Sequence, residues 1–104
     1  VTAKTTDYTV LSSQTGDYFT NEGATTGITF NLPTAIRNLS YSFIAENSNT
    51  INITATSGNT ITNGLNVTTS GGTISSVDSG STITLVAINS TKWITTSIIG
   101  TWVI

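Results

Sequence analysis

Apolar and polar residues alternate along almost the whole chain. In Ser40-Tyr41-Ser42-Phe43-Ile44-Ala45 the aromatic positions fall two apart, and Ile51-Asn52-Ile53-Thr54-Ala55 repeats the pattern one segment later. A period of two sends successive side chains to opposite faces of a strand. An amphipathic helix needs a period near 3.6, and no stretch of normal helix length supports one. The alternation predicts eleven short strands: Asp7–Leu11, Tyr18–Asn21, Gly27–Leu32, Ser40–Glu46, Thr50–Ala55, Thr60–Thr62, Leu65–Thr68, Thr73–Val77, Thr82–Asn89, Trp93–Ile98 and Thr101–Ile104.

Turn chemistry separates these runs. Gln14-Thr15-Gly16, Asn21-Glu22-Gly23, Ser57-Gly58-Asn59, Asn63-Gly64, Ser70-Gly71-Gly72, Asp78-Ser79-Gly80 and Asn89-Ser90-Thr91 all combine residues that favour tight reversals. Asn63-Gly64 reads as a two-residue hairpin. Pro33, the sole proline, ends the strand before it and leaves Thr34–Leu39 as a turn or a single helical turn. A G-x-T-I pattern recurs at Gly58–Ile61, Gly71–Ile74 and Gly80–Ile83, unevenly spaced, which reads as reused hairpin chemistry rather than a solenoid repeat.

The faces of these strands predict a core of Phe30, Leu32, Tyr41, Phe43, Ile51, Ile53, Ala55, Ile83, Leu85, Ala87 and Trp93. Val86, Ile88, Ile94, Ile98 and Ile99 are left on the opposite faces, which implies strands buried on both sides or a subunit interface. The fold class is therefore all-β: a small antiparallel β-sandwich, barrel or β-prism of about eight to eleven short strands in one domain spanning residues 1–104.

Composition sharpens this picture. Charged residues make up 8% of the chain, against about 25% in an average soluble domain. Polarity comes instead from 24 Thr, 13 Ser and 10 Asn, so identical copies meet without charge repulsion. A chain of this size buries little surface, and the absence of cysteine rules out a disulfide staple. With His and Met also absent, zinc and haem lose their preferred ligands. Oligomerisation is the remaining common way to stabilise so small a fold, and we expect it to complete this one. The chain opens at Val1 without an initiator Met, and Val1–Val10 lacks a signal-peptide pattern, which reads as a processed or excised product.

The same composition narrows function. Three scattered basic residues, Lys4, Arg37 and Lys92, and a net charge of −2 give no footprint for nucleic acid. No apolar run approaches the roughly 20 residues of a membrane-spanning helix. Without His or Cys the usual triads and thiol nucleophiles cannot be built. The acids Asp7, Asp17, Glu22, Glu46 and Asp78 are candidates for a glycosidase pair, but three of them sit beside turn glycines, where solvated loop acids are expected. Asp78-Ser79-Gly80-Ser81 offers calcium one carboxylate only. The expectation is a protein with no catalytic, cofactor-binding or metal-binding residues.

Other patterns carry less. Composition alone supplies the four N-x-S/T sequons at Asn38, Asn52, Asn66 and Asn89. The Thr-x-Thr pairs Thr54/Thr56, Thr60/Thr62 and Thr82/Thr84 have the spacing of an ice-binding hydroxyl ladder but lack its fixed repeat length. Tyr8, Tyr18, Trp93 and Trp102 are the aromatic side chains available for stacking on sugars, with Trp93 better placed as core.

Asp7-Tyr8-Thr9-Val10, Phe19-Thr20-Asn21-Glu22-Gly23-Ala24 and Ile28-Thr29-Phe30-Asn31-Leu32-Pro33, followed by Tyr41-Ser42-Phe43-Ile44, Ile51-Asn52-Ile53-Thr54 and Ile83–Ile88 with Lys92-Trp93, resemble small β-rich structural proteins of tailed bacteriophages. The resemblance covers nearly the whole chain through short motifs. It implies a virion component assembled in the host cytoplasm: a capsid decoration (cement) protein bound as a homotrimer to the head exterior, or alternatively a head- or tail-fibre module that binds host-surface glycans. Expected partners are further copies of the chain and viral capsid or fibre proteins. The hydrophobic residues Ile98, Ile99, Trp102, Val103 and Ile104 are the expected subunit or capsid contact. Tyr8, Tyr18 and Trp102 are the expected glycan contacts of the fibre alternative.

Overall fold

The computed structural model describes every residue from Val1 to Ile104. Eleven strands form: β1 (Thr2–Ala3), β2 (Tyr8–Thr9), β3 (Tyr18–Thr20), β4 (Ile28–Asn31), β5 (Ser40–Ile44), β6 (Ile51–Thr54), β7 (Thr60–Asn63), β8 (Asn66–Val67), β9 (Thr73–Ser76), β10 (Thr82–Ala87) and β11 (Lys92–Ile99). Ten match the alternation-based segments to within a few residues. The predicted strand Thr101–Ile104 shrinks to one bridge between Val103 and Ser75, and β1 had no forecast. Thr34–Leu39 holds a turn at Arg37–Asn38, closed by the Leu39 N–H on the Ile36 carbonyl at 3.0 Å, and the only helical turn is at Ser12–Gln14.

The strands build a β-sandwich of a seven-stranded sheet, ordered β1-β3-β5-β10-β11-β7-β8, and a four-stranded sheet, ordered β2-β4-β6-β9. Phe19 and Phe43 from the larger sheet meet Phe30 from the smaller one, with ring centroids 5.5 and 5.2 Å apart. All eleven residues forecast as core are buried in a single cluster, and all five left-over residues lie outside it. Val10, Phe19, Ala24, Ile28, Ala35, Leu39, Ala45, Ile61, Ile74 and Trp102 complete the interior.

The antiparallel expectation needs correction. Four strand pairings are antiparallel, and five are parallel. The physical reason lies in the route of the chain. From β1 to β6 successive strands alternate between the sheets, so the chain runs out along one sheet, turns a corner and returns along the other. Each strand then lies beside the strand two earlier, pointing the same way. Tyr8 stacks on Phe30, Ile28 on Ile51, and Phe19 on Phe43, at steps of 22, 23 and 24 residues. This is a short coil whose turns are nearly constant after the first, in which Thr2 lies beside Phe19 at a step of 17 residues. The three G-x-T-I segments are also reassigned: each opens a strand (β7, β9, β10) as the chain crosses between sheets, and none is a hairpin.

The coil is interrupted after β6. A β10–β11 hairpin wedges between β5 and β7, and β7 returns as β8 through Gly64-Leu65, with Asn63 facing Asn66 across the turn. No helix is long and apolar enough to cross a membrane.

Candidate functional site

Strand alternation fixes what each sheet shows to solvent. The outer face of the four-stranded sheet carries Thr9, Thr29, Asn31, Asn52, Thr54, Thr73 and Ser75, with neither an apolar nor a charged side chain. Across it the hydroxyls of Thr54 and Thr73 are hydrogen-bonded at 2.8 Å. The outer face of the seven-stranded sheet interleaves apolar groups with the hydroxyls: Tyr18, Ile44, Val86, Ile94 and Ile99 lie among Ser42, Thr82 and Thr84. Of all the charged residues in the chain only Lys92 falls within a strand. The larger sheet therefore presents a broad, nearly uncharged, partly apolar surface.

The five residues expected at an interface divide. Ile98 and Ile99 are exposed, at 41% and 62%. Trp102 is not: it is 7% exposed, packs in the core cluster and donates its indole N–H to the Thr82 carbonyl at 3.0 Å. It docks on its own chain rather than a neighbour's. Val103 pairs with Ser75 through two backbone hydrogen bonds, so the tail covers the free side of β9. Removing residues 98–104 would thus strip part of the fold along with any contact surface. Asn63, Asn66, Val67, Trp102, Val103 and Ile104 line an open groove of about 330 Å³ between the β7–β8 hairpin and this tail.

The aromatic residues considered for sugar stacking are not brought together. Tyr8 lies on edge strand β2 with its ring 5.9 Å from Phe19, its hydroxyl donating to Gln14 and the Lys4 ammonium 3.9 Å from its ring centroid. Tyr18 points from the outer face of the larger sheet, and Trp102 lies beside β9 at the opposite edge of the smaller sheet from Tyr8. The acids are dispersed too, in five different loops, and no three of them converge. Asp7 accepts the Thr29 N–H at 2.8 Å, a structural role.

Sequence reasoning missed the residues that hold the corners. Asn21 is fully buried; its amide donates to Asn47 Oδ1 and the Asn49 carbonyl, and its oxygen accepts the N–H groups of Glu46 and Asn47. Asn47 and Asn49 both donate to the Ala24 carbonyl. These contacts tie the β3–β4 corner to the β5–β6 corner stacked on it. Asn59 does the same elsewhere, accepting the Ala35 N–H at 2.8 Å and donating to the Ser90 carbonyl. The signal in the sequence was the coil itself: Phe19-Thr20-Asn21-Glu22 returns as Phe43-Ile44-Ala45-Glu46, and Ile28-Thr29-Phe30 as Ile51-Asn52-Ile53. Tyr41, buried between Phe19 and Trp93, donates to the Leu11 carbonyl; its phenol is raised above the ordinary value of 10.0 by burial first and the nearby Asp17 charge second.

Compared with family models and with curated proteins, the chain matches none.

Proposed function

We propose that this chain is a non-catalytic structural module of a bacteriophage virion, a decoration protein on the exterior of the head that adds contact area across shell subunits. The observation that carries the reading is the outer face of the seven-stranded sheet, where Tyr18, Ile44, Val86 and Ile94 interleave with Ser and Thr and charge is confined to Lys92 at one end. An apolar patch of this kind favours contact with another surface by burial, and the hydroxyls around it keep the free protein solvated. The virion setting comes from the resemblance to small phage structural proteins, which also implies three copies per assembly. The fibre reading finds less support, because Tyr8, Tyr18 and Trp102 form no common platform for a sugar.

The test is co-sedimentation with shells assembled without the protein, followed by heating of the complex. We expect the unmodified chain to bind and to raise the temperature at which the shells come apart. A Val86→Lys, Ile94→Lys variant should stay folded and remain in the supernatant. Absence of binding by the unmodified chain overturns the decoration role, and a hit on a glycan array would transfer the assignment to a fibre module.

A further inference from the structure

β11 is paired with β10 along its whole length, from Ala87↔Trp93 to Thr82↔Ile99. On its other side β7 accompanies it only from Lys92 to Ile94. β7 ends at Asn63 and turns back into β8, so the edge of β11 from Thr96 to Ile99 has no strand beside it. A bare strand edge presents backbone donors and acceptors, and the group that satisfies them best is another strand.

The other edges of the molecule are blunted. β1, β2 and β8 are each two residues long, and β9 is covered by Val103. Short edge strands and covering segments are standard defences against unwanted pairing, as are charged residues and proline. β11 has none of the last two: from Trp93 to Ile104 there is neither a charge nor a proline. Its bulge, between the Thr84 and Leu85 pairings, lies at the start of the open stretch and leaves Ser97–Ile99 in regular register with β10. Ile98 and Ile99 are exposed there, as is Leu65 at the tip of the β7–β8 hairpin.

We infer that this edge takes a second copy of the chain, by antiparallel pairing of β11 with β11 of the other copy about a two-fold axis near Ile98. Neutrality is what selects the occupant. Each position meets the same or a neighbouring position of an identical uncharged strand, without like-charge repulsion. A two-fold pairing also consumes both open edges and closes, whereas head-to-tail addition propagates into fibres. The paired stretch is short, which puts the contact in the small class of interfaces, below about 1,200 Å² in total, that dissociate on dilution. The inference stands on the edge itself, does not rest on the virion role, and puts two copies where the resemblance implies three.

Because the chain has no cysteine, a single Ile98→Cys substitution tests the axis. Directly opposed residues in an antiparallel pair have Cα atoms roughly 4.5–5.5 Å apart, within the range of about 4.4–6.8 Å that a disulfide spans. Mild oxidation should convert this variant to a species of twice 10.8 kDa, while Val77→Cys, exposed on the β9–β10 turn, should remain monomeric under the same conditions. Sedimentation of the unmodified chain should move from monomer to dimer as concentration rises, and Ile99→Lys should weaken that association at least about tenfold with the fold intact by circular dichroism. A monomer at every concentration, equal cross-linking through residue 77, or a trimer in place of the dimer would each overturn the pairing. The last result would leave the decoration role standing, because shell binding is measured separately. A dimer that ignores shells would instead support the pairing and remove that role.

Discussion

Residues 1–55 and residues 60–104 contribute to the same two sheets by different routes. In the first region the chain coils, its strands pair in parallel, and its corners are closed by Asn21, Asn47 and Asn49, whose side-chain amides bond to backbone and to one another. In the second, β10 and β11 form a hairpin, β7 and β8 form another, and a tail crosses from the larger sheet to the smaller. The buried side-chain polar atoms without a hydrogen-bond partner are Thr62 Oγ1, Trp93 Nε1 and Thr95 Oγ1, all in β7 and β11. Eight of the twelve exposed large hydrophobic residues also lie in the second region. One part of the molecule satisfies itself internally; the other keeps apolar surface, a bare strand edge and imperfect polar pairing. That division is what the proposed assembly role would use: a self-sufficient body and a face left open.

Glycine substitutions give the largest test of the comparison. Gly100 joins β11 to the tail at φ 80°, and a Cβ there would meet the Ser81 Oγ, with the Ser81 Cβ at 2.9 Å and Cα at 3.0 Å. Gly16 in the coil has φ 90° but nothing within 4 Å of an added Cβ. Gly16→Ala should cost about 1 kcal/mol, the strain of positive φ alone. Gly100→Ala should cost about 3 kcal/mol, because overpacking adds to that strain and unseats Trp102 and Val103. Denaturant titration of the two variants measures both. Equal losses would mean that the tail is not an integral part of the second region.

An intermediate effect is expected at Asn21. Alanine there leaves the N–H groups of Glu46 and Asn47 and the carbonyl of Asn49 without their side-chain partner. Half-buried backbone groups left unpaired carry part of the desolvation penalty, so Asn21→Ala should lose about 2 kcal/mol in the same titration. A loss under about 1 kcal/mol would show that the amide network decorates the corners without holding them.

The sequence made some of this legible and concealed the rest for identifiable reasons. Tyr41, Phe43, Ile83, Leu85 and Ala87 could be placed in the core because period-two alternation depends only on the strand, not on its neighbour. Parallel pairing was hidden because alternation is the same whichever way the adjacent strand runs. The coil was detectable in the return of Phe19–Glu22 as Phe43–Glu46, but only over two turns, after which the β10–β11 hairpin breaks the spacing. Asn21 looked like turn chemistry because a turn asparagine and a buried bridging asparagine have the same flanking residues. At the candidate contact surface, Ile98 and Ile99 could be read as surplus to one core, whereas the burial of Trp102 depends on a close return of the tail past Ser81 that no local pattern encodes.

The smallest expected effect is the most discriminating in sign. Thr95 lies in β11 opposite Leu85, where alternation directs it inward, and its buried hydroxyl has no hydrogen-bond partner. Valine has nearly the same shape and keeps the β-branch that a strand favours. In a corner such as Asn21 an apolar replacement strands several partners, but at Thr95 it strands none and removes a polar atom already taken from water without compensation. Thr95→Val should therefore stabilise the protein, by about 0.5–1 kcal/mol, seen as a higher denaturation midpoint with an unchanged slope. A loss of stability would mean that the hydroxyl finds a partner in solution, an ordered water being the simplest, and that the second region is better satisfied than its side-chain contacts suggest. Opposite signs at Asn21 and Thr95, for the same class of substitution, would establish that polar groups are structural in the coil and dispensable beside the open edge.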